Sequence, residues 1–291
     1  MSVKKAIITD AGFASRFLPI TKTIPKAMIP IGAKPVMQYC VEECISAGIE
    51  EIIIVATPHT MSKQIYEDYF HGKAENVKAL LEKQGKSDRF APVDEIVSHF
   101  PRITVIEQDS NLPYGNGSPI VSARDYVKDE DAFVVLYSDD LILGSSDVKT
   151  LIDTYEENPG AKAVITAQKM PRDVWKKYGM IALKENGTLD HIVEKPQTPE
   201  ESPSDLTSYG RYLLTPEVFD YLTPDNTGLD GELWTVDAIT KLATHGDVVV
   251  AHSAGKWITT GDPQNYFMAE LEYVLSETDY GADIKNMIQS R

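Results

Sequence analysis

The sequence is poor in cysteine, in basic residues relative to acidic ones, and in long apolar runs. Its two cysteines, Cys40 and Cys44, lie one helical turn apart in an apolar-periodic segment. This spacing favours two small buried thiols on a helix face over a redox or metal-binding pair, and it provides no disulfide framework. The 44 acidic and 28 basic side chains give a formal net charge of -16. A surface this acidic repels nucleic acid and anionic membranes, so neither is an expected partner.

Two further absences narrow the class of protein. No apolar run is long enough to span a bilayer, and the N-terminal segment leads into a strand without an apolar signal core. We therefore expect a cytoplasmic protein. The first strand is also not followed by Gly-x-Gly-x-x-Gly, which disfavours a nicotinamide-dependent dehydrogenase.

Strand-like apolar runs alternate with segments of helical periodicity along the chain. This alternation predicts an α/β fold with a largely parallel sheet that helices cover on both faces. We find no internal repeat and no clear linker, so we expect a single domain over residues 1–291. The predicted strands cover residues 5–9, 51–56, 102–107, 132–137, 163–168, 179–183, 189–193, 209–214 and 247–253. The predicted helices cover residues 36–48, ending at a Gly48 C-cap, parts of 62–98, then 120–127, 216–222, 232–244 and 263–277.

The residues after the first predicted strand are the most informative in the chain. Positions 10–16 read Asp-Ala-Gly-Phe-Ala-Ser-Arg, and Pro25 and Lys26 follow. Small residues let backbone N–H groups approach phosphate oxygens, while Arg16 and Lys26 can neutralise the remaining negative charge. The prolines argue against one continuous helix. The loop therefore predicts a binding site for a polyanion; the alternative is a strand-to-helix turn with incidental basic residues.

A pair of carboxylates, Asp139 and Asp140, follows the apolar run at 133–137. In open α/β sheets ligands bind at the carboxyl ends of the strands, so a carboxylate here projects towards the expected site. A carboxylate opposite Arg16 and Lys26 suits Mg²⁺, which typically sits between one or two carboxylates and substrate phosphates. The alternative is an ordinary Ser-Asp-Asp turn after a strand.

Two weaker motifs carry polar groups at other strand ends. Gln108 precedes a glycine-rich turn that contains Gly115. A glutamine amide can donate to and accept from a pyrimidine edge, but a turn sequence alone is a weak signal. Glu194 and Lys195 precede Pro196, which favours an extended backbone with the two side chains pointing to opposite sides. One could then bind sugar hydroxyls and the other a phosphate; the alternative is a surface ion pair.

Taken in order, these motifs resemble the bacterial UTP–glucose-1-phosphate uridylyltransferases, also called UDP-glucose pyrophosphorylases. The resemblance covers nearly the whole chain, including a helical segment at 80–83 that is similar to an insertion of this subfamily. Each motif alone is modest, whereas their order and spacing together are specific. The motifs are the loop at 10–16, Pro25-Lys26, Gln108 with Gly115, Ser138-Asp139-Asp140, Tyr178-Gly179, Val193-Glu194-Lys195-Pro196, Gly210-Arg211-Tyr212 and Gly231-Glu232-Leu233.

The resemblance implies a Rossmann-like nucleotidyltransferase fold, with a central mixed, mostly parallel sheet flanked by helices and a C-terminal helix. It implies a nucleotide-binding half at about 1–145, a sugar-binding half at about 146–262 and a C-terminal helical segment at 263–291. In the implied reaction, the phosphate oxygen of glucose 1-phosphate attacks the α-phosphorus of UTP in line, and Mg²⁺-bound pyrophosphate leaves. Because no covalent intermediate is needed, catalysis would rest on alignment and electrostatics.

The family's functional residues carry over to matching positions of this sequence. A homo-oligomer is also implied, and the apolar face of the helix at 263–277, which includes Phe267 and Leu275, could pack against the core or a second subunit. The resemblance implies that Arg16, Lys26, Asp139 and Lys195 are catalytic, with Asp139 as the Mg²⁺ ligand. It implies that Ala11, Gly12, Gln108 and Gly115 bind the nucleotide, and that Gly179, Glu194, Lys195 and Glu232 bind the sugar phosphate.

Four positions depart from the family's pattern. Asp10 replaces a small neutral residue and brings an acid close to the expected phosphates. Ala14-Ser15 replaces Gly-Thr, so the alanine Cβ requires an unstrained backbone with φ below zero. Ala27 replaces an acidic residue after the lysine. Thr259 replaces a second metal aspartate, and a neutral hydroxyl binds Mg²⁺ more weakly than a carboxylate, although the phosphates of UTP also ligate the ion.

These departures leave two alternatives open. The changes at Ala14 and Ala27 leave room for the same chemistry on another base or another sugar. The changes at Asp10 and Thr259 motivate a nucleotide-sugar-binding sensor or regulatory protein without turnover. The joint presence of the charged residues that the family uses favours an enzyme over such a sensor.

Overall fold

The computed structural model describes residues 3–100, 102–228 and 231–290. Helices and strands alternate through the first half, and the second half is richer in strands. The strands are β1 (Lys5–Asp10), β2 (Pro30–Ile31), β3 (Lys34–Pro35), β4 (Glu51–Ala56), β5 (Arg102–Glu107), β6 (Phe133–Tyr137), β7 (Asp140–Leu143), β8 (Ala163–Lys169), β9 (Gly179–Leu183), β10 (Leu189–Glu194), β11 (Leu206–Leu214), β12 (Val248–His252) and β13 (Lys256–Thr259). The α-helices are α1 (Val36–Ser46), α2 (Ser62–His71), α3 (Glu75–Lys83), α4 (Ala91–His99), α5 (Ser118–Ser122), α6 (Arg124–Val127), α7 (Asp147–Glu157), α8 (Thr235–His245), α9 (Pro263–Glu277) and α10 (Gly281–Gln289).

The centre of the fold is a mixed sheet that contains strands from both halves of the chain. Its main path runs β10-β9-β11-β6-β1-β4-β5, and β8 pairs with both β11 and β12. β1 runs parallel to β4 and β6, and β4 runs parallel to β5. β11 is antiparallel to β6, β8 and β9. The predicted α/β fold class with a mixed, mostly parallel sheet is therefore confirmed.

The sheet separates two apolar clusters. Successive residues of a strand point to opposite faces, so Ile7 and Ile53 enter one cluster while Ile8 and Ile54 enter the other. Helices α1, α2 and α7 cover the Ile8 side, and α5 and α8 cover the Ile7 side. Because both faces are covered, the parallel strands have continuous apolar sequences rather than alternating ones.

The two cysteines lie on the buried face of α1, as the sequence predicted. Cys40 and Cys44 are both free thiols with no exposed surface. Burial raises the pKa of Cys40 to about 12, although the neighbouring Arg211 opposes this shift. A thiol that stays protonated is a poor metal ligand and a poor nucleophile, so the structural interpretation holds.

Several elements differ from the sequence prediction. The stretch at 62–98, parts of which were predicted to be helical, contains the three α-helices α2, α3 and α4, and the helix predicted from 232 begins at Thr235. Strands β7 and β13 pair with each other in a small antiparallel sheet, and neither they nor α7 was predicted. β7 was missed because only Ser138 and Asp139 separate it from β6, with no glycine or proline to mark a turn. Within the described ranges, no helix has both the length and the apolar character to cross a membrane.

Candidate active site

A cavity of about 310 Å³ opens where β1, β4, β5 and β6 end. This is the edge at which ligands bind in open α/β sheets. Four predicted site residues, Arg16, Gly179, Glu194 and Lys195, are not part of its lining. The predicted residues that line it come from motifs up to about two hundred positions apart in the chain, and are Ala11, Gly12, Lys26, Gln108, Gly115, Asp139 and Glu232.

The loop after β1 is irregular, as its prolines predicted. It consists of three single 3-10 turns, at Ser15–Phe17, Ile20–Lys22 and Lys26–Met28. The expectation that Ala14 has a negative φ was wrong, because its φ is 46°. Its carbonyl accepts hydrogen bonds from the backbone N–H of Phe17 and from Thr21 Oγ1, both at 3.0 Å. These bonds offset the cost of about 1–2 kcal/mol of a left-handed L-residue.

The two cations of this loop have different surroundings. Arg16 is exposed and lies two residues beyond Ala14, the last residue of this segment to line the cavity. Lys26 follows Pro25 and reaches into the cavity. Ala27, which replaces an acid in the family's pattern, is buried in the core cluster on the α1 side of the sheet. An acidic side chain would be costly in that apolar surrounding.

Lys26 and Asp139 form an ion pair inside the cavity. Lys26 Nζ lies 2.6 Å from Asp139 Oδ2, and the two side chains are 14% and 31% exposed. Burial alone would raise the pKa of Asp139, but the charge and hydrogen bond of Lys26 outweigh it and hold that pKa below its ordinary value. Burial would likewise lower the pKa of Lys26, yet Asp139 and Asp10 raise it. Both groups are therefore charged at neutral pH.

Asp10 is buried at the end of β1, with its carboxylate turned to partners in the core. Ser138 Oγ donates to Asp10 Oδ1 at 2.8 Å, and the hydroxyl of Tyr66 donates to Oδ2. Burial raises the pKa of Asp10, while the charge of Lys26 and these two hydrogen bonds oppose the shift. The acid that seemed to conflict with bound phosphates is thus tied to the sheet and to α2.

Asp140 faces away from the substrate side of the cavity. Its Oδ1 accepts from Trp257 Nε1 at 2.7 Å, and its Oδ2 accepts from the backbone N–H of Gly210 at 3.0 Å. Burial, and then the nearby charge of Asp139, raise the pKa of Asp140 to about 6. With both oxygens bonded to other elements, Asp140 holds β7 against β11 and β13.

The surroundings of Asp139 fit a divalent cation. The pairing of β7 with β13 brings Thr259 beside Asp140, and Thr260 N donates to the carbonyl of Asp139 at 2.6 Å. A Cβ at Gly261 would lie 3.3 Å from Asp139 Oδ2 and 3.4 Å from Thr259 Oγ1, so its absence leaves space beside both oxygens. In the described part of the chain, no three acidic, histidine or cysteine groups form a metal cluster. Mg²⁺ could nevertheless bind here with one carboxylate, because substrate phosphates and water complete its shell.

The loop that contains Gly115 is joined to the segment before α8. Leu233 N donates to the carbonyl of Tyr114 at 2.7 Å, and Gly117 N donates to the carbonyl of Leu233 at 2.8 Å. Gly115 has a φ of 136°, and a Cβ there would lie 2.3 Å from the Leu233 oxygen. Only glycine permits this close approach. The contact places the loop of residues 108–119, here called the nucleotide loop because the resemblance assigns it to the nucleotide, beside Glu232 from the other half of the chain.

Two further hydrogen bonds fix the positions of the nucleotide loop. The backbone N–H of Gln108 donates to the carbonyl of Ala56 at 3.0 Å, which holds Gln108 at the end of β5. Asn116 Oδ1 accepts from the backbone N–H of Thr235 at 2.9 Å and so satisfies a free donor at the start of α8. Asn116 directly follows Gly115 in the glycine-rich turn, but the sequence does not indicate that it contacts a residue 119 positions away.

Gly179 and Glu194 are direct partners across β9 and β10. A Cβ at Gly179 would lie 2.8 Å from Glu194 Oε2, so the glycine makes room for this carboxylate. Burial raises the pKa of Glu194, although the adjacent Lys195 opposes the shift. A second carboxylate, Asp237, adds to the rise.

The predicted extended backbone at Lys195 was wrong. Its φ is 47°, and its N–H donates to the carbonyl of Tyr178 at 3.1 Å, a contact that holds it in the left-handed region. The two side chains also do not diverge, because Lys195 Nζ lies 3.6 Å from Glu194 Oε1. The same ammonium lies 5.5 Å from the ring centre of Trp234, which lines the cavity. The Glu194–Lys195 pair therefore adjoins the cavity through Trp234.

The sequence pattern of the nucleotidyl transferase family matches residues 5–275. The chain belongs to the nucleotidyl transferase family. A UTP–glucose-1-phosphate uridylyltransferase of Staphylococcus epidermidis is 36% identical over 292 residues, covering 99% of this chain and 98% of its own. A UTP-bound UGPase from Acinetobacter baumannii is similar in structure, with a TM-score of 0.86, 30% identity and 99% coverage of both chains. A UDP-glucose pyrophosphorylase complexed with UDP-glucose has a TM-score of 0.77 and 30% identity, covering 94% of this chain and 98% of that one.

Sequence reasoning missed the aromatic walls of the cavity in this nucleotidyl transferase family member. Phe13, Tyr114, Tyr137 and Trp234 all line it. Each lies next to, or two residues from, a residue that the sequence did single out. Aromatic residues adjoining a polar motif at a strand end were thus a usable signal, because a flat ring substrate needs flat apolar walls.

Proposed function

We propose that this protein transfers a uridylyl group from UTP to glucose 1-phosphate, giving UDP-glucose and pyrophosphate. The observation that carries the proposal is one cavity that joins Lys26 and Asp139 to the Gln108–Gly115 loop and Glu232. Relatives named UTP–glucose-1-phosphate uridylyltransferase match nearly the whole chain. Similar structures described as UTP-bound and as complexed with UDP-glucose support the proposed nucleotides.

In the proposed mechanism, the protein aligns two anions and has no covalent role. The Gln108 amide and the Gly115 backbone bind the uracil, and the Ala11–Gly12 backbone lies along the phosphates. Lys26 is charged, and its ammonium stabilises the negative charge that develops as pyrophosphate leaves. Arg16 adds a second cation from the outer side of the same loop. Holding both reactants in line removes much of the entropic barrier.

On the sugar side, we propose that Glu194 and Glu232 accept hydrogen bonds from glucose hydroxyls. Gly179 leaves room for the Glu194 carboxylate. Lys195 binds the phosphate of glucose 1-phosphate and so brings the attacking oxygen towards the α-phosphorus of UTP. A lysine that rests on Glu194 and an aromatic ring can move to a stronger charge partner when the phosphate arrives.

We propose Mg²⁺ as the metal, held by Asp139 with Thr259 beside it. The ion would supply positive charge to the UTP phosphates and the leaving pyrophosphate. Lys26 and Asp139 are paired with each other at 2.6 Å. Both then exchange partners on substrate binding: the ammonium moves to a phosphate, and the carboxylate becomes free for the ion.

We further propose a homo-oligomer, in the cytoplasm, where phosphorylated substrates of this kind are retained by their charge. Tyr266, Ala269 and Tyr273 of α9 pack towards the core, whereas Phe267 is 66% exposed and Met268 is 55% exposed. Exposed apolar side chains side by side favour a protein contact. Light scattering after size exclusion should give a multiple of the monomer mass for the wild type and a lower mass for Phe267→Glu. A monomeric wild type would contradict this assembly.

The reaction is tested by a coupled pyrophosphate assay across four nucleoside triphosphates and several sugar 1-phosphates, with and without Mg²⁺. We expect pyrophosphate to be released with UTP and glucose 1-phosphate, and only when Mg²⁺ is present. Release with another base or sugar would identify a related transferase. Binding of UDP-glucose without any turnover would instead support the sensor that Thr259 motivated.

A further inference from the structure

Trp234 has no role in the function proposed above, yet it lines the cavity between the nucleotide loop and the sugar-side charges. Glu232, two positions earlier in the chain, lines the same cavity. The ring is only partly buried. The Lys195 ammonium lies 5.5 Å from the ring centre. One region of the indole face therefore contacts a half-exposed cation rather than packed apolar side chains.

The backbone of Trp234 is fixed on both sides. Leu233 forms two hydrogen bonds with the nucleotide loop, of 2.7 and 2.8 Å. On the other side, the N–H of Thr235 donates to Asn116 at 2.9 Å, and α8 begins. Trp234 itself is extended, with a φ of -99° and a ψ of 129°. A ring held in this way is a preorganised surface, which lowers the entropic cost of binding a ligand.

The charges around the ring show what kind of ligand it suits. Lys195 Nζ lies 5.5 Å from the ring centre and 3.6 Å from Glu194 Oε1, and Glu232 lies two residues before Trp234 in the cavity lining. Carboxylates accept hydrogen bonds from hydroxyl groups, and an ammonium binds a phosphate. A flat aromatic face beside such groups complements a ring that has polar edges and an apolar C–H face. A hexose that carries a phosphate has these features.

We propose that the indole of Trp234 is the platform on which the hexose ring of the sugar substrate lies, making it a specificity-determining residue. This inference rests on the proposed function and assigns the sugar contact within it. Lys195 lies over the indole face at 5.5 Å from the ring centre. When the sugar 1-phosphate binds, Lys195 moves to the phosphate and the C–H face of the hexose replaces it on the ring. The cation–π contact of a partly exposed pair is weak enough to be exchanged in this way.

The experiment compares the affinities of UDP and UDP-glucose, measured by isothermal titration calorimetry, for wild type, Trp234→Leu and Trp234→Phe. For Trp234→Leu we expect the affinity for UDP-glucose to fall about tenfold, equivalent to about 1.4 kcal/mol. The affinity for UDP should stay within about twofold, because UDP lacks the hexose, and Trp234→Phe should retain most of the affinity. Trp175→Leu is the matched control, since Trp175 lies on the 3-10 turn at Arg172–Lys177 and is not part of the cavity lining.

Fluorescence gives a second measurement that does not depend on the leucine variant folding. UDP-glucose should change the indole emission of the wild type more than UDP does, and Trp234→Phe should remove this difference. Equal losses of UDP and UDP-glucose affinity in Trp234→Leu would put the ring on the uridine and overturn the inference. Unchanged UDP-glucose affinity, or an unchanged emission difference in Trp234→Phe, would also overturn it. If the wild type binds no UDP-glucose, the proposed function fails together with this inference. If the wild type binds UDP-glucose and turns over normally while one of the contradicting results is found, only the platform is refuted.

Discussion

Replacing Gly115 with alanine should break the contact that joins the nucleotide loop to the segment before α8. A Cβ at this position would lie 2.3 Å from the oxygen and 2.5 Å from the nitrogen of Leu233. Both atoms belong to the backbone, so a rotamer change cannot relieve the clash. The φ of 136° also lies in a region that L-residues rarely adopt. The loop must therefore move away from Leu233.

The expected loss of stability follows from these contacts. The strain of an L-residue at this φ costs about 1–3 kcal/mol. Breaking the hydrogen bonds that Leu233 makes to Tyr114 and Gly117 costs about 0.5–1.5 kcal/mol each. A total of about 2–6 kcal/mol is a large part of the typical 5–15 kcal/mol that stabilises a domain. For a chain of this size the melting temperature should fall by about 3–10 °C.

The control is Gly160→Ala, since Gly160 has a φ of 98° and a Cβ there would meet no atom within 4 Å. This variant has the backbone strain without the clash, so its free energy of unfolding should fall by less than half as much as that of Gly115→Ala. Calorimetry or circular dichroism measures the melting temperatures, and steady-state kinetics measures KM for UTP. Only Gly115→Ala should raise that KM, because only it displaces the proposed uracil loop. Equal loss of stability in both variants, or an unchanged KM for UTP in Gly115→Ala, would refute the reasoning.

Three other substitutions test individual charges. Asp139→Asn should lower kcat for Mg²⁺-dependent pyrophosphate release about 100-fold or more, with an unchanged circular dichroism spectrum; near-wild-type turnover would contradict its role at the metal. Lys195→Ala should raise KM for glucose 1-phosphate about tenfold and change KM for UTP less than twofold, whereas equal rises for both would argue against a phosphate contact on the sugar side. Burial raises the pKa of Asp147 above the unfolded value of 3.8, so the folded protein holds this proton more tightly than the unfolded chain does. The stability that Asp147 contributes is therefore fully present below pH 3.8 and is lost as the pH rises through the folded-state pKa. Asp147→Asn should therefore flatten the fall in urea midpoint from pH 4 to 7, and an unchanged slope would exclude this carboxyl as its source.

The parallel part of the sheet could be predicted from the sequence because its strands are buried on both faces. Continuous β-branched runs at β1, β4 and β6 leave little doubt about strand identity. Once strands are assigned, the residues that follow them must meet at one edge of the sheet. Gln108 and Asp139 each follow such a strand, and both line the cavity together with Lys26 from the loop after β1. That Gln108 belongs with the other two was implied by the family resemblance.

What could not be predicted depends on contacts between distant parts of the chain. Local rules give Ala14 and Lys195 negative φ angles, but both are left-handed. The Lys195 N–H donates to the carbonyl of Tyr178 on a neighbouring segment, whereas Ala14 is held within its own loop by Phe17 and Thr21. The hydrogen bond from the Thr235 N–H to Asn116 joins residues 119 positions apart, and neither residue type predicts it. Trp234 lies two positions after Glu232, but only the fold shows that it lines the cavity and lies beside Lys195.

The acid at Asp10 becomes compatible with bound phosphates once the charges around Lys26 are considered together. Lys26 feels the attraction of both Asp139 and Asp10, and this attraction raises its pKa. If Lys26 turns to a phosphate and Asp139 to Mg²⁺, Asp10 keeps the hydrogen bonds from Tyr66 and Ser138. No buried charge is then left without a partner, which is the condition under which buried charges are tolerated.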